Sequence, residues 1–231
     1  MKHVLITVAL VAAVAMASAA RADTAEVGEG FLSLQAGQSR FESNPLLMPR
    51  QSGLFVGTRE EHFDRHDQAF GIAGGYRWPL AESIKLGVEG GYIDLGDATA
   101  RYDRHPAFLI PNPGSTEKRR EGVKAPFVGV NGRWIIGDAW SLTARGGIAR
   151  YRATFDVDNR YSDASTHDSY KRSDMSYYYG IAFGYDVTEQ LGIALSFDRF
   201  NPEFRGQTYA QPQKESVSVT VPGLRMEYRF Q

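Results

Sequence analysis

The sequence predicts an all-β fold: an eight-stranded antiparallel up-and-down barrel that crosses a membrane, with short turns at one end and long loops at the other. Three observations lead there. Segment after segment alternates large apolar side chains with small, polar or charged ones, the period-two signature of a strand whose faces meet different surroundings. The connections between these segments alternate short and long. The uniform face is apolar and the mixed face carries the charges, the reverse of what a soluble barrel with an apolar interior needs, so the apolar face is expected against lipid.

Taken in order, "MKHVLITVALVAAVAMASAARAD" opens with a lysine, an apolar run and Ala20-Arg21-Ala22, which reads as a secretory signal peptide over 1–22. Residues 23–231 show no linker or composition break and are expected to form one barrel domain. Its first strand sets Leu32, Leu34 and Ala36 against Ser33, Gln35, Gly37 and Ser39. "AFGIAGGYRW" sets Phe70, Ile72, Tyr76 and Trp78 against Gly71, Ala73, Gly75 and Arg77, and "IKLGVEGGYI" sets Ile84, Leu86, Val88 and Tyr92 against Lys85, Gly87, Glu89 and Gly91. "FVGVNGRW", "WSLTARGGI", "YYYGIAFGYDV", "LGIALSFDRF" and the closing "GLRMEYRFQ" complete the eight.

Segments 79–83, 135–139 and 188–190 are tight turns, whereas 42–66, 94–122, 156–174 and 201–215 are long and polar. Trp78, Trp134 and Trp140 fall beside short turns; Tyr92, Tyr151, Tyr177, Tyr178 and Tyr179 fall beside long loops, and together they suggest two interfacial aromatic girdles. Pro126 and Pro222 lie inside strand patterns. Near Pro222 the apolar phase slips from odd positions (Val217, Val219, Val221) to even ones (Leu224 to Phe230), so a β-bulge is expected there.

Composition excludes several classes. The chain has no cysteine, so disulfides, thiolate metal sites and cysteine nucleophiles are absent. A net charge of −1 leaves no electrostatic footprint for nucleic acid. No stretch beyond the signal is long and apolar enough for a spanning helix.

These residues carry a resemblance to the OmpA-like family of small eight-stranded transmembrane barrels. "GVEGGYIDLG" resembles that family's third strand, "WSLTARGGIARYRA" its fifth, and "EYRFQ" its closing strand. The resemblance implies a protein of the outer membrane of a Gram-negative bacterium, reached through the periplasm. The C-terminal peptidoglycan-binding domain of OmpA itself is not expected here. The resemblance puts Glu89 where the family has an inward acid paired with a lumen arginine, but the position expected to supply that arginine is Ala194. It also implies that a terminal strand with Tyr228 and Phe230 is the signal read by the outer-membrane assembly machinery.

An eight-stranded barrel is narrow enough for side chains to fill, so inward charges must meet one another. Lys85, Glu89, Arg133, Arg145, Asp186, Asp198, Arg225 and Glu227 are the expected lumen ion-pair network. It either plugs the barrel or gates a narrow porin-like path. The second long loop carries an apolar patch (Phe108, Leu109, Ile110) and a basic run (Lys118, Arg119, Arg120) suited to lipopolysaccharide phosphates or an extracellular ligand. "DRH" at 64–66 and 103–105, and His167-Asp168-Ser169, are compared with outer-membrane proteases and lipid A deacylases, and His62 and His66 with a metal pair on a briefly helical face. The expectation is a structural and cell-surface role with outer-membrane lipid as its surroundings, without catalysis, metal or cofactor. A channel is the alternative, and a hydrolase of lipid A or peptide the third reading.

Overall fold

A computed structural model of the protein describes residues 28–42, 57–106, 115–160, 165–208 and 211–230. The expected signal peptide and the patch Phe108, Leu109 and Ile110 lie outside the described residues.

Eleven strands are present: β1 (Glu29–Phe41), β2 (Gly57–Asp64), β3 (His66–Ala81), β4 (Ile84–Pro106), β5 (Ser115–Ile136), β6 (Trp140–Arg160), β7 (Ser165–Asp186), β8 (Leu191–Phe200), β9 (Glu203–Thr208), β10 (Gln211–Ser216) and β11 (Val219–Phe230). Eight of them close a ring in the order β1, β3, β4, β5, β6, β7, β8, β11, every neighbour antiparallel. Ring closure runs from Gly30 opposite Phe230 up to Phe41 opposite Val219, so no strand in the belt is left with a free edge.

Alternation places Leu32, Leu34, Ile72, Leu86, Val130, Ile148, Ile181, Leu195 and Leu224 outward, where they form an exposed apolar belt. On β4 the belt runs from Ile84 to Tyr92, the length of strand a tilted membrane crossing needs. Trp134 and Trp140 ring the short-turn end and Tyr177 and Tyr179 the other, all outward and about half exposed; Trp78 packs edge-on against Tyr76 at the short-turn end. Tyr151 and Tyr178 differ from expectation. Both are buried inside the barrel, because their parity on β6 and β7 is the inward one.

The segments expected as long loops are largely strand. β4 to β7 continue far above the belt, joined in pairs: β4 and β5 from Arg104 opposite Ser115 down to Asp97 opposite Gly122, and β6 and β7 without a break from Arg160 opposite Ser165. β2 extends this wall by pairing with upper β4, and β9 and β10 make a separate hairpin. Period-two patterning persists here, but charge masks it: Ala98, Ala100 and Tyr102 are buried while Arg101 is exposed and bonded to Asp103 at 2.9 Å.

A bulge does exist, in β4 and not at Pro222. Pairing with β5 slips between Asp94 and Asp97, and Gly96 there adopts φ 75°, a conformation that disfavours any side chain. Asp67 holds it by accepting the Asp97 N–H at 2.7 Å. At Pro222 the register of β11 is the same on both sides and Val217, Val219 and Val221 point into the barrel with Arg225 and Arg229. The slip in the sequence is thus a change in what fills the lumen. Pro222 and Pro126 each interrupt the ladder on one side, toward β1 and β6 respectively, and pairing resumes in register.

Candidate functional site: the filled lumen and the extracellular wall

The lumen is filled in two strata. The lower one is ionic. Arg77 bonds both carboxylate oxygens of Glu227 at 2.8 Å, donates to Asn131 at 2.6 Å, and lies 3.9 Å over the Phe31 ring. Glu29 takes Lys85 at 2.8 Å and stands 3.7 Å from Arg133, which itself reaches Asp186 at 2.5 Å. Asp186 is shared with Arg229 at 2.7 Å.

One rung higher, Asp198 is fully buried and accepts from Arg145 at 2.8 Å, Gln35 at 2.6 Å and Arg225 at 3.3 Å. Glu89 accepts from the Tyr178 hydroxyl at 2.8 Å and from Asn131 at 3.3 Å, with Arg145 at 3.6 Å. Room for Asp198 comes from Gly180 directly opposite it, where an added Cβ would overlap the carboxylate.

The eight lumen residues singled out in the sequence therefore meet one another, directly or through shared partners. Glu89 finds its arginine on β6, in Arg145, while Ala194 lies across from Arg225 on the wall. Sequence reasoning left out Glu29, Gln35, Arg77, Asn131, Tyr178 and Arg229, although the same parity marks all six as inward. Tyr178 was hidden between two outward tyrosines.

The upper stratum is mainly apolar, with Ser39 and Glu121 also fully buried at its level. Phe41, Phe200, Leu95, Ile93, Val123, Val217, Val219 and Val221 are buried together. Tyr178 joins the two strata: its ring stacks on Phe200 at 5.8 Å and meets Phe127 edge-on at 5.0 Å, while its hydroxyl serves Glu89. Tyr151 donates to the Tyr177 carbonyl at 3.0 Å and accepts the Asn201 N–H at 3.2 Å, tying the top of β8 to the wall. Cavities along the ionic stratum measure about 20 and 10 Å³, room for about one water each at most.

The wall above the belt carries the other expected residues. Lys118, Arg119 and Arg120 lie on β5, not in a loop, and alternation divides them. Lys118 and Arg120 face outward and Arg119 faces in, bonded to Glu117 and lying 5.8 Å over the Tyr102 ring. One phosphate cannot meet all three. Tyr228 and Phe230 face outward at the foot of β11, packed edge-on at 5.0 Å.

The histidines fall on strands too. His62 is on β2 and His66 begins β3, so no helical face brings them together. His66 donates its N–H to Asp64, which makes the first DRH triplet a local turn; the side chains of Arg104 and His105 lie outside the described residues. No cluster of three or more metal-ligating acids and histidines occurs among the described residues. His167 bonds Asp158, its cross-strand partner, at 2.6 Å. That bond raises the imidazole pKa above 6.5 and lowers the carboxyl below 3.8, and both side chains remain exposed.

A family model described as "Outer membrane protein beta-barrel domain" matches residues 6–230. Among solved structures, the chain is similar to Ail, the attachment invasion locus protein of Yersinia pestis, at 19% identity over 88% of this chain and 99% of that one, TM-score 0.44. It is similar to OprG from Pseudomonas aeruginosa at 11% identity over 87% and 96%, TM-score 0.42. The outer membrane protease OmpT from Escherichia coli matches at 12% identity over 88% and 96%, TM-score 0.38. A comparison with curated proteins finds no match.

Proposed function

Because this chain belongs to the outer membrane protein beta-barrel domain family, and so resides in the outer membrane of a Gram-negative bacterium, we propose that it is a sealed scaffold whose work is done by its extracellular wall. The role is structural and cell-surface interaction, without catalysis or cofactor.

One observation carries this reading: the lumen is closed twice, by ion pairs and then by an apolar core. A permeating ion would have to break buried pairs and then shed its water among valines and aromatics, each step costing several kcal/mol. A gate built from Glu89 and Arg145 alone could not open that path. Binding is left to the paired strands β4–β5 and β6–β7, which form a rigid, charged platform above the membrane. The pair His167–Asp158 lies on its open face without the water-excluding cleft that hydrolysis uses.

Two measurements test the proposal. In planar bilayers the folded protein and the Glu89→Ala variant are both expected to be silent; steady single-channel conductance from the wild type would overturn the sealed-scaffold reading. Deleting residues 105–120, the end of the β4–β5 hairpin, is expected to reduce surface adhesion while leaving heat-resistant folding intact. Adhesion unchanged by the deletion would remove the interaction role from this hairpin.

A further inference from the structure

We propose that the outer wall carries a site for the phosphates of an outer-leaflet glycolipid, formed by Lys124, Arg152 and Lys171 on β5, β6 and β7. A cavity of about 590 Å³ opens there, floored by small or hydroxylated residues such as Gly122, Thr154 and Ser173, and bordered by Tyr92.

Position comes first. Tyr92 is the last outward aromatic of the belt on β4 and lies opposite Pro126; Lys124 is the next outward residue up β5. The cavity therefore sits at the rung where apolar wall gives way to charge, and it faces sideways toward lipid rather than up toward solvent. Headgroup phosphates lie at that height.

Charge comes second. Lys124 and Arg152 are directly opposite each other on neighbouring strands, both outward and exposed. Like charges in that relation destabilise a sheet unless something negative lies between them. Lys171 stands one outward rung higher, opposite Thr154. Among the described residues Arg152 and Lys171 have no acid within ion-pair distance. Lys124 holds Asp94 at 2.8 Å, and Arg120, two rungs above it, reaches Asp97 at 3.9 Å and pairs in register with Asp156. Asp97 and Asp156 thus gather at Arg120 and Asp94 answers Lys124 from the β4 side, which leaves the uncompensated positive charge of this corner on Arg152 and Lys171, with Lys124 beside them. An arginine fork with two flanking ammonium groups suits a phosphate monoester. Of the basic run read from the sequence, only Arg120 lines this cavity.

The test reconstitutes the full chain in phosphatidylcholine nanodiscs containing a few mole per cent of bisphosphorylated lipid A, and counts lipid A retained on the extracted protein by native mass spectrometry. Wild type is expected to retain it, at least tenfold more than dephosphorylated lipid A, and without displacement by equimolar inorganic pyrophosphate. Lys124→Ala/Arg152→Ala should lose retention about tenfold, while Arg40→Ala, an outward cation on the opposite wall, should not. A heat-mobility gel checks that each variant is folded, and Arg152→Gln with Lys124→Arg/Arg152→Lys as its conservative partner reads the same site if the double alanine fails to fold. Equal retention by folded charge-removal variants and wild type, or equal retention of the dephosphorylated lipid, would overturn the proposal. Displacement by pyrophosphate would show a site for free phosphate and overturn the lipid assignment.

Discussion

Arg145 and Asp198 meet at 2.8 Å in the middle of the barrel, on β6 and β8, with their side chains 3% and 0% exposed. The acid also answers Arg225, so two buried guanidinium groups share this carboxylate, and Arg145 has Glu89 besides, at 3.6 Å. Removing one partner of a buried pair strands the other charge, and the typical cost is about 3–5 kcal/mol. Asp198→Ala is expected to lower unfolding stability in urea by that amount, and Asp198→Asn, which can still accept hydrogen bonds, by less. Unfolding of the lipid-embedded barrel followed by gel mobility checks it.

Gly96 turns β4 through its bulge at φ 75°, with the Asp67 carboxylate 2.7 Å from where a Cβ would stand. Gly96→Ala should cost about 1–2 kcal/mol for the left-handed backbone, with further cost from that contact. The damage should stay local. Amide hydrogen exchange is expected to speed up around Asp97 and Gly122 and to remain unchanged in the belt near Val130.

The His167–Asp158 pair predicts a pH window at the top of β6 and β7. The histidine pKa is raised by its bond to Asp158, so its contribution is full below about 6.5 and fades as pH rises through the raised value. The aspartate pKa is lowered by the same bond, so its contribution is present above 3.8 and lost as pH falls through the lowered value. Corrected hydrogen-exchange protection near Asp158 should therefore be greatest near pH 5–6 and weaker at pH 8. His167→Gln should flatten the difference.

Phe230 ends β11 on the outer face, opposite Gly30 of β1 where the ring closes. If the terminal aromatic strand is the assembly signal, Phe230→Ala should reduce folded protein in the outer membrane several-fold. The unfolding midpoint of whatever assembles should barely move. Wild-type levels of the folded variant would reduce the stretch to a strand like the others.

Much of the belt was legible because lipid imposes one rule on every outward position, and Leu32, Leu86, Ile181 and Met226 all obey it. The inner ion pairs were legible for a related reason: a charge at an inward position of a narrow barrel has nowhere else to go. What the alternation did not reveal was the apolar upper core. Val217, Val219 and Val221 have the same parity as Arg225 and share its inward face, yet their hydrophobicity mimics the outward pattern, which is why the sequence points to a bulge there that the register does not contain. Parity identifies a face; it does not identify what lies against it. The hairpins were missed for the opposite reason. Above the membrane both faces of β5 carry charge (Glu117, Arg119 and Glu121 inward, Lys118 and Arg120 outward), and on β4 the bulge at Gly96 shifts the phase of the alternation, so the contrast that marks a strand is obscured while backbone pairing continues. Lys124 opposite Arg152 could not be found from either segment alone, because register across two strands decides it.

The stretch of β4 from Tyr92 to Pro106 is about 45 Å of extended chain. Tilted by about 40°, it still carries its end roughly 35 Å beyond the last lipid-facing aromatic, several times the thickness of a headgroup layer. The hairpin works as a mast: its foot is set among the lipids of its own cell, and what its tip meets first belongs to the world outside.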